Sequence, residues 1–168
     1  ARRDQYGRKT VSIADCTPNV VELQDVLLQK ARRVMIKLSP MLDISKALAE
    51  LRCVKEVHVV AVANECKELV VILENGFSGP IRVTCVNLST GQPVISYTME
   101  EENESQLTLA DGVSNYLYEP NAALMKAGCF KLLCQRFGVS KLHKNSNLYT
   151  SCDFVSDFPG RVFTFFGA

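Results

Sequence analysis

Residues 57–62 (VHVVAV) restrict the fold more than any other segment, because a strand built from them is apolar on both faces. Such a strand needs cover on both sides and therefore belongs in the interior of a sheet. A second apolar run at 69–73 follows after a short polar turn, which leaves too little chain for a crossover, so the two strands must pair antiparallel. His58 is predicted to be a buried structural residue, since no second histidine or cysteine pair lies at metal-ligand spacing.

An earlier apolar run at 34–38 predicts another strand, which must leave the sheet at Pro40 because proline cannot donate to a strand pairing. Helices are predicted before and after this strand, one from Thr17 to about Lys30 and one that Asp43 caps. The order strand, helix, strand, returning strand predicts a parallel pair of strands joined by a helix and followed by an antiparallel hairpin strand.

The clearest break in the chain is at 75–80 (NGFSGP), where turn-forming residues cluster between two strands. We therefore predict two domains, 1–76 and 77–168. The second domain is predicted to begin with a hairpin whose strands lie at 81–85 and 94–99.

Beyond this hairpin the pattern predicts a solvated acidic loop at 100–104. Apolar residues at helical spacing then predict a helix that Pro120 opens and Gly138 ends as the C-terminal cap. The final apolar run at 160–166 predicts a last strand.

The formal charge of +1 balances 19 basic residues against 18 acidic ones, so the overall charge points to no nucleic-acid, membrane or acidic partner. The distribution is uneven, because residues 120–168 hold six basic and two acidic side chains. Seven cysteines without a Cys-x-x-Cys pair are typical of reduced thiols and predict a cytoplasmic protein. No apolar run has the length of a membrane span, so no membrane segment is expected.

Several sequence words resemble one enzyme family. Residues 1–4 (ARRD) resemble the end of its fourth motif, and residues 37–44 (KLSPMLDI) resemble the loop after its fifth strand. The family is the class I S-adenosylmethionine-dependent methyltransferases, whose sheet ends with a seventh strand inserted antiparallel between the fifth and the sixth. Residues 116–123 (YLYEPNAA) and 157–162 (DFPGRV) are similar to the THUMP-like domain that ends a group of bacterial methyltransferases.

The resemblance implies an α/β fold. Residues 1–76 would form the distal half of a Rossmann-like methyltransferase sheet with an antiparallel last strand, so that its three strands have the spatial order first, third, second. Residues 77–168 would form a small α+β THUMP-like domain. The glycine-rich loop and the strand-ending acid that hold S-adenosylmethionine in the family would lie upstream of Ala1. The chain is then expected to be a piece of a longer protein, to bind S-adenosylmethionine negligibly and to be inactive alone.

The resemblance also implies which residues lie on the substrate side of the cleft. Arg2 and Arg3 follow the fourth strand and could pair with a phosphate or carboxylate, while Ser39 and Pro40 lie at the end of a strand, where ligands gather. The alternatives are an ordinary basic end and a simple strand terminator. RNA uridine-5 methyltransferases carry a nucleophilic cysteine before the corresponding proline, whereas Ser39 stands there in this chain, so direct methyl transfer is favoured over covalent attack. No catalytic residue is identified.

THUMP domains are associated with RNA binding, and the C-terminal part offers a basic face with an aromatic side chain. Such a face can contact phosphates and stack on a base. The alternative is a solvated helix face with structural histidine and tyrosine side chains. The candidate RNA-binding residues are Asn121, Lys126, Lys131, His143, Lys144, Asn145 and Tyr149.

Two functions are therefore considered. The first is the distal part of a methyltransferase that uses S-adenosylmethionine to modify RNA. The second is a non-catalytic RNA-binding or protein-interaction module built on a methyltransferase-like scaffold. In either case the strand at 34–38 would lack a neighbour on one side, so self-association through this exposed sheet edge is also expected.

Overall fold

A computed structural model describes residues 12–14 and 16–166, which form a mixed α/β structure with two sheets. The first sheet has five strands and the second has four. Within the described residues, no helix is long and apolar enough to cross a membrane. The elements follow the chain in the order α1 (Val20–Lys30), β1 (Arg33–Leu38), α2 (Ile44–Glu50), β2 (Val54–Val62), β3 (Glu65–Glu74), β4 (Arg82–Leu88), β5 (Ile95–Thr98), α3 (Met99–Glu104), β6 (Tyr116–Pro120), α4 (Ala122–Ala127), α5 (Lys131–Phe137), β7 (Ser140–Lys141), β8 (Tyr149–Ser151) and β9 (Gly160–Thr164).

The first sheet has the strand order β1-β3-β2-β4-β5. β3 pairs antiparallel with β1 on one side and with β2 on the other, so β1 and β2 run parallel to each other. The predicted order of the first three strands is confirmed. Val57, Val59 and Leu69 are completely buried, as expected for interior strands whose apolar side chains need cover.

The sheet does not end where the chain was predicted to divide. β4 pairs parallel with β2 and antiparallel with β5, so strands on both sides of 76/77 belong to one sheet. Val83 and Cys85 of β4 are buried in the same core as β2. The turn-forming residues at 75–80 therefore connect two strands of one sheet, and this pairing does not support a boundary at 76/77.

Side-chain caps decide where the first two helices begin. The predicted start of α1 at Thr17 is wrong, because Asn19 is the cap and its side chain accepts a hydrogen bond from the Val21 N–H. The predicted cap of α2 is confirmed, since the Asp43 side chain accepts from the Lys46 N–H. Both are local bonds of the kind that an asparagine or aspartate offers best at this position.

The acidic segment predicted as a solvated loop is instead the helix α3. Thr98 and Glu101 form a reciprocal capping box at its start. Glu102 is nearly buried, and its carboxylate accepts hydrogen bonds from three successive backbone N–H groups, those of residues 130–132 at the start of α5. Glu102 thus holds α3 against the start of α5, because this one glutamate of the acidic segment faces inward.

The single helix predicted between Pro120 and Gly138 is divided in two. Pro120 ends β6, and α4 begins after Asn121. Gly128 has a φ of 74°, a left-handed conformation that suits glycine and ends α4 after less than two turns. Gly138 is the C-terminal cap of α5, as predicted.

The second sheet has the strand order β7-β8-β6-β9 and shares one buried core with the first. α4 directly follows β6 of the second sheet and packs against β2, β3 and β4 of the first, so it bridges the two sheets. Tyr118 and Phe158 are buried with their ring centroids 4.9 Å apart. Gly160 lies so close to β6 that a Cβ at this position would be 2.0 Å from the carbonyl oxygen of Glu119, which excludes any other residue.

Glu74, the last residue of β3, ties together the beginnings of β1 and β2 at one edge of the first sheet. Its carboxylate lies 2.7 Å from Lys55 Nζ, 2.7 Å from Arg33 Nε and 3.5 Å from a guanidinium nitrogen of Arg32. The hydrogen bond from Lys55, supported by that from Arg33, lowers the pKa of Glu74 from 4.5 to about 2. The pairs therefore favour the charged carboxylate in the folded chain.

We expect Glu74→Gln to be less stable than the wild type at pH 7 and less sensitive to acid. A depressed pKa contributes stability that is complete above the ordinary value of 4.5 and is lost as the pH falls toward 2. Urea unfolding between pH 2 and pH 7 measures the difference between the two proteins. Parallel curves for the wild type and the variant would contradict this assignment. Glu104→Gln removes an exposed charge and should alter stability at pH 7 by less than about 0.5 kcal/mol.

Candidate functional site

The ends of the parallel strands define the candidate site. β1, β2 and β4 run in the same direction, so the loops that follow them lie along one edge of the first sheet. We call this the carboxyl edge; it consists of the segments 39–43, 63–64 and 89–91. Ligands of open α/β sheets bind outside such an edge.

Ser39 and Pro40 are half-buried in the first of these loops. The Ser39 hydroxyl accepts a hydrogen bond from the Met41 N–H, and the Ser39 carbonyl accepts one from the Leu42 N–H. Leu42 is buried, whereas Met41 is 62% exposed at the tip of the turn. Ser39 therefore stabilises the turn, and the exposed tip is the part of the loop that a ligand can reach.

Lys126 of α4 reaches this loop from the far part of the chain. Its ammonium donates to the carbonyl oxygen of Leu42 over 2.7 Å. The structure thus brings together Lys126, which was predicted to bind RNA, and the Ser39–Pro40 turn, which was predicted to bind substrate. No sequence pattern predicted this contact, because it joins residues that are 84 positions apart.

A network of side-chain amides lies at the same edge; we call Asn64, Asn87, Gln92 and Asn121 the amide network. Both Asn87 and Asn121 donate from their Nδ2 atoms to Gln92 Oε1, over 3.1 and 3.0 Å. Gln92 Nε2 donates in turn to the carbonyl oxygen of Gly160. Three of these four residues were not predicted from the sequence, because Asn64 and Gln92 lie in loops, Asn87 lies in β4 and none belongs to a recognisable motif.

The amide network also fixes the start of α4. Asn64 Oδ1 accepts from the Ala122 N–H, and Asn121 Oδ1 accepts from the N–H groups of Ala123 and Leu124. These three N–H groups are among those that a helix leaves without internal partners. Asn121 is 3% exposed, so its predicted role in binding RNA is wrong and it is instead a structural cap.

Tyr149 is also wrongly predicted as an RNA contact. Its side chain is completely buried, and its hydroxyl donates to the carbonyl oxygen of Phe130 over 2.9 Å. Burial raises the pKa of this tyrosine well above its usual value. A base cannot stack on a ring that the core already covers.

The other RNA candidates are accessible to different degrees. Lys131 is half-buried and donates from Nζ to the carbonyl oxygen of Asn103. His143, Lys144 and Asn145 are exposed in the loop between β7 and β8. An RNA contact at these three residues stays a prediction.

Lys141 is a buried cation that sequence analysis did not single out. It is 4% exposed, its ammonium donates to the carbonyl oxygen of Lys144, and it lies 4.8 Å from the centroid of the Phe130 ring. Burial lowers its pKa. Its contacts hold the loop after β7 against α5, which is a structural role.

Two further predictions concern the N-terminal arginines and His58. Arg2 and Arg3 lie outside the described residues. His58 is only half-buried, not buried as predicted, and its Nε2 lies 3.1 Å from a carboxylate oxygen of Glu56. In the part of the chain that the structure describes, no cluster of histidine, cysteine and acidic residues could hold a metal ion.

Comparisons with known proteins give two similarities. The profile of a family of ferredoxin-like domains matches residues 116–159, from the start of β6 to the residue before β9. The crystal structure of a putative methyltransferase from Porphyromonas gingivalis W83 is 40% identical, with a TM-score of 0.85 over 91% of this chain and 39% of that one. The chain thus spans about two fifths of the length of that protein. No curated protein matches the sequence.

Proposed function

We propose that the chain is the distal part of a class I S-adenosylmethionine-dependent methyltransferase domain, followed by a THUMP-like unit, and that the complete enzyme methylates RNA. The observation that carries the proposal is β3, which lies antiparallel between the parallel strands β1 and β2. The sheets of class I methyltransferases end with a strand inserted in this way, whereas here β4 and β5 extend the sheet beyond β2. The likeness to the Porphyromonas gingivalis protein over 91% of the chain supports the same relationship.

The carboxyl edge would supply the substrate side of the enzyme. The 39–43 loop is held by its own turn and by Lys126, so its exposed tip is presented in one conformation. Such positioning of a substrate accelerates a reaction by reducing the entropy that must be lost at the reacting centre. The loop is therefore proposed to orient the methyl acceptor, with Lys126 as a positioning residue.

The residues present do not fit S-adenosylmethionine itself. At the carboxyl edge the amide network bonds to itself and to α4, so these groups are already paired. The strands that end there finish in Leu38, Val62 and Leu88, none of which is the acid that would bind a ribose. We therefore propose that the cofactor binds to sequence that precedes these residues in the complete enzyme.

The 168-residue chain is expected to bind S-adenosylmethionine negligibly, whereas a longer protein that includes the preceding sequence should bind it at micromolar concentration. The reason is that the glycine loop and the acid of the family would lie upstream. Isothermal titration calorimetry of both proteins is the measurement. Micromolar binding by the shorter chain would place the cofactor site within these residues, contrary to the proposal.

The same longer protein tests the reaction. Transfer of a radiolabelled methyl group from S-adenosylmethionine to total RNA is expected, and Lys126→Met should slow it while cofactor binding is unchanged. Lys126→Arg is the matched control, because arginine can still donate to the Leu42 carbonyl. Cofactor binding without transfer to RNA would reject RNA as the acceptor. RNA binding without cofactor binding would favour the non-catalytic module.

A further inference from the structure

A cavity lies at the opposite edge of the first sheet, where the parallel strands begin. It has a volume of about 390 Å³, which lies within the range of small-molecule sites. We call it the amino-edge pocket. Its lining residues are Asp25, Leu28, Gln29, Arg52, Cys53 and Asn75.

The amino-edge pocket has an apolar surface with two exposed carboxamides at its border. Leu28 is buried and Cys53 is half-buried, while Gln29 and Asn75 contribute carboxamides. Asn75 Nδ2 donates to the carbonyl oxygen of Leu28, and the Asn75 N–H donates to that of Arg32. These bonds hold Asn75 between the pocket and Arg32. An apolar surface with carboxamides at its border suits a flat heterocycle whose edge carries hydrogen-bonding groups.

Arg52 lines this pocket, and Arg32 and Arg33 lie beside its lining residue Asn75, whose N–H donates to the Arg32 carbonyl oxygen. The side chains of Arg32, Arg33 and Arg52 are 83%, 57% and 71% exposed. The side chain of Glu74, which pairs with Arg32, Arg33 and Lys55, is only 12% exposed. The carboxylate thus lies beneath the guanidinium groups, and the surface that solvent meets is cationic.

The acidic residues of this region balance only part of that charge. Asp25 pairs with Arg52 over 3.2 Å, while one Glu74 carboxylate serves three cations. The nearby Glu50 carboxylate is engaged by the Ser12 hydroxyl and the Ile13 N–H. Guanidinium groups in excess over the carboxylates they contact are typical of phosphate recognition.

We propose that the amino-edge pocket binds one nucleotide of single-stranded RNA, with its base in the cavity and the adjoining phosphates on Arg32 and Arg52. The proposal rests on RNA as the substrate of the proposed function. β1 connects the two edges over six residues, or roughly 20 Å, so the bound nucleotide would be remote from the methylated one. The pocket thus serves as an anchor that holds the strand while another part of it reaches the carboxyl edge.

Fluorescence anisotropy with a labelled 12-nucleotide oligouridine tests the proposal on this chain. The wild type should bind it, and an abasic strand of the same length should bind roughly tenfold more weakly, because stacked bases add to phosphate contacts. Arg32→Glu with Arg52→Glu should weaken binding of oligouridine by roughly tenfold or more. Loss of two phosphate contacts should also reduce the slope of log Kd against log salt by about 1.4.

The matched control is Lys46→Glu with Arg161→Glu, which changes the net charge equally at exposed residues that do not line the pocket. It should retain binding within about threefold, since long-range charge effects are screened. Circular dichroism checks that both double variants fold. If the Arg32→Glu, Arg52→Glu variant does not fold, Arg32→Gln with Arg52→Gln replaces it. Equal binding of abasic and normal strands, or loss of binding only in the control, would overturn the proposal. So would preference for an acidic peptide over RNA.

This experiment is independent of methyl transfer. If the longer protein fails to methylate RNA but this chain binds oligouridine through the pocket, the proposed function fails and the site stands. If methylation occurs but the arginine variants bind RNA as the wild type does, the site fails and the function stands.

Discussion

Glu102→Ala is expected to lower the free energy of unfolding by about 4 kcal/mol, a large fraction of the stability of a single domain. The carboxylate accepts hydrogen bonds of 3.1, 2.9 and 3.0 Å from the N–H groups of Phe130, Lys131 and Leu132. No side chain of the N-cap residue itself bonds the start of α5. Alanine would leave these donors without an acceptor, partly out of reach of water. Urea unfolding followed by circular dichroism measures the loss.

Two controls separate the cap from a general effect of charge. Glu102→Gln retains an acceptor oxygen of similar shape, so it should lose about half as much stability as Glu102→Ala. Glu100→Ala removes a carboxylate from the exposed side of the same helix and should change stability by less than about 0.5 kcal/mol. If Glu100→Ala and Glu102→Ala were equally destabilising, the hydrogen bonds to α5 would not be the cause.

Asn121→Ala is expected to cost about 3 kcal/mol. The buried side chain caps α4 through two N–H groups and donates to Gln92 Oε1, so alanine removes three hydrogen bonds at once. Thermal and urea unfolding should both report the loss. The value exceeds that of an ordinary cap because the site is closed to water, which cannot replace the missing oxygen.

A graded series distinguishes the cap of α4 from the link to Gln92. Asn121→Ser retains a good capping oxygen but cannot reach Gln92 in the same way, so it should recover about half of the loss. Asn145→Ala changes an exposed asparagine in the β7–β8 loop and should have an effect below about 0.5 kcal/mol. A wild-type stability for Asn121→Ala would mean that Gln92 or Asn64 compensates for the missing amide.

The antiparallel pairing of β2 with β3 could be predicted because it depends on local sequence, whereas the position of β3 between β1 and β2 followed from the resemblance to methyltransferases. The runs at 34–38, 57–62 and 69–73 are apolar, and the short turn before the third allows only antiparallel pairing. The place of β4 could not be predicted in this way. Turn formers at 75–80 are equally compatible with a domain boundary and with a connection within one sheet, and only the partner of β4 decides between them.

The candidate site was predicted less well, because the roles of its residues depend on distant partners. Asn121 and Tyr149 have the residue types of an RNA surface, but their side chains are buried against Gln92 and Phe130. Glu102 belongs to a segment with the composition of a solvated loop, and it turns inward only because α5 begins beside it. Polarity alone does not tell a solvated side chain from a buried cap.

The bridging position of α4 has a consequence for cooperativity. This helix packs on the first sheet, and its Ala122 N–H donates to Asn64 in a loop of that sheet. The N–H of its cap residue Asn121 donates to the carbonyl oxygen of Pro159, which precedes β9 of the second sheet. Neither sheet can open without breaking those bonds, so the two should exchange their amide hydrogens as one unit rather than as separate foldons. Protease cleavage between β5 and β6 would then leave two pieces that remain associated, and a circular permutant opened there should still fold.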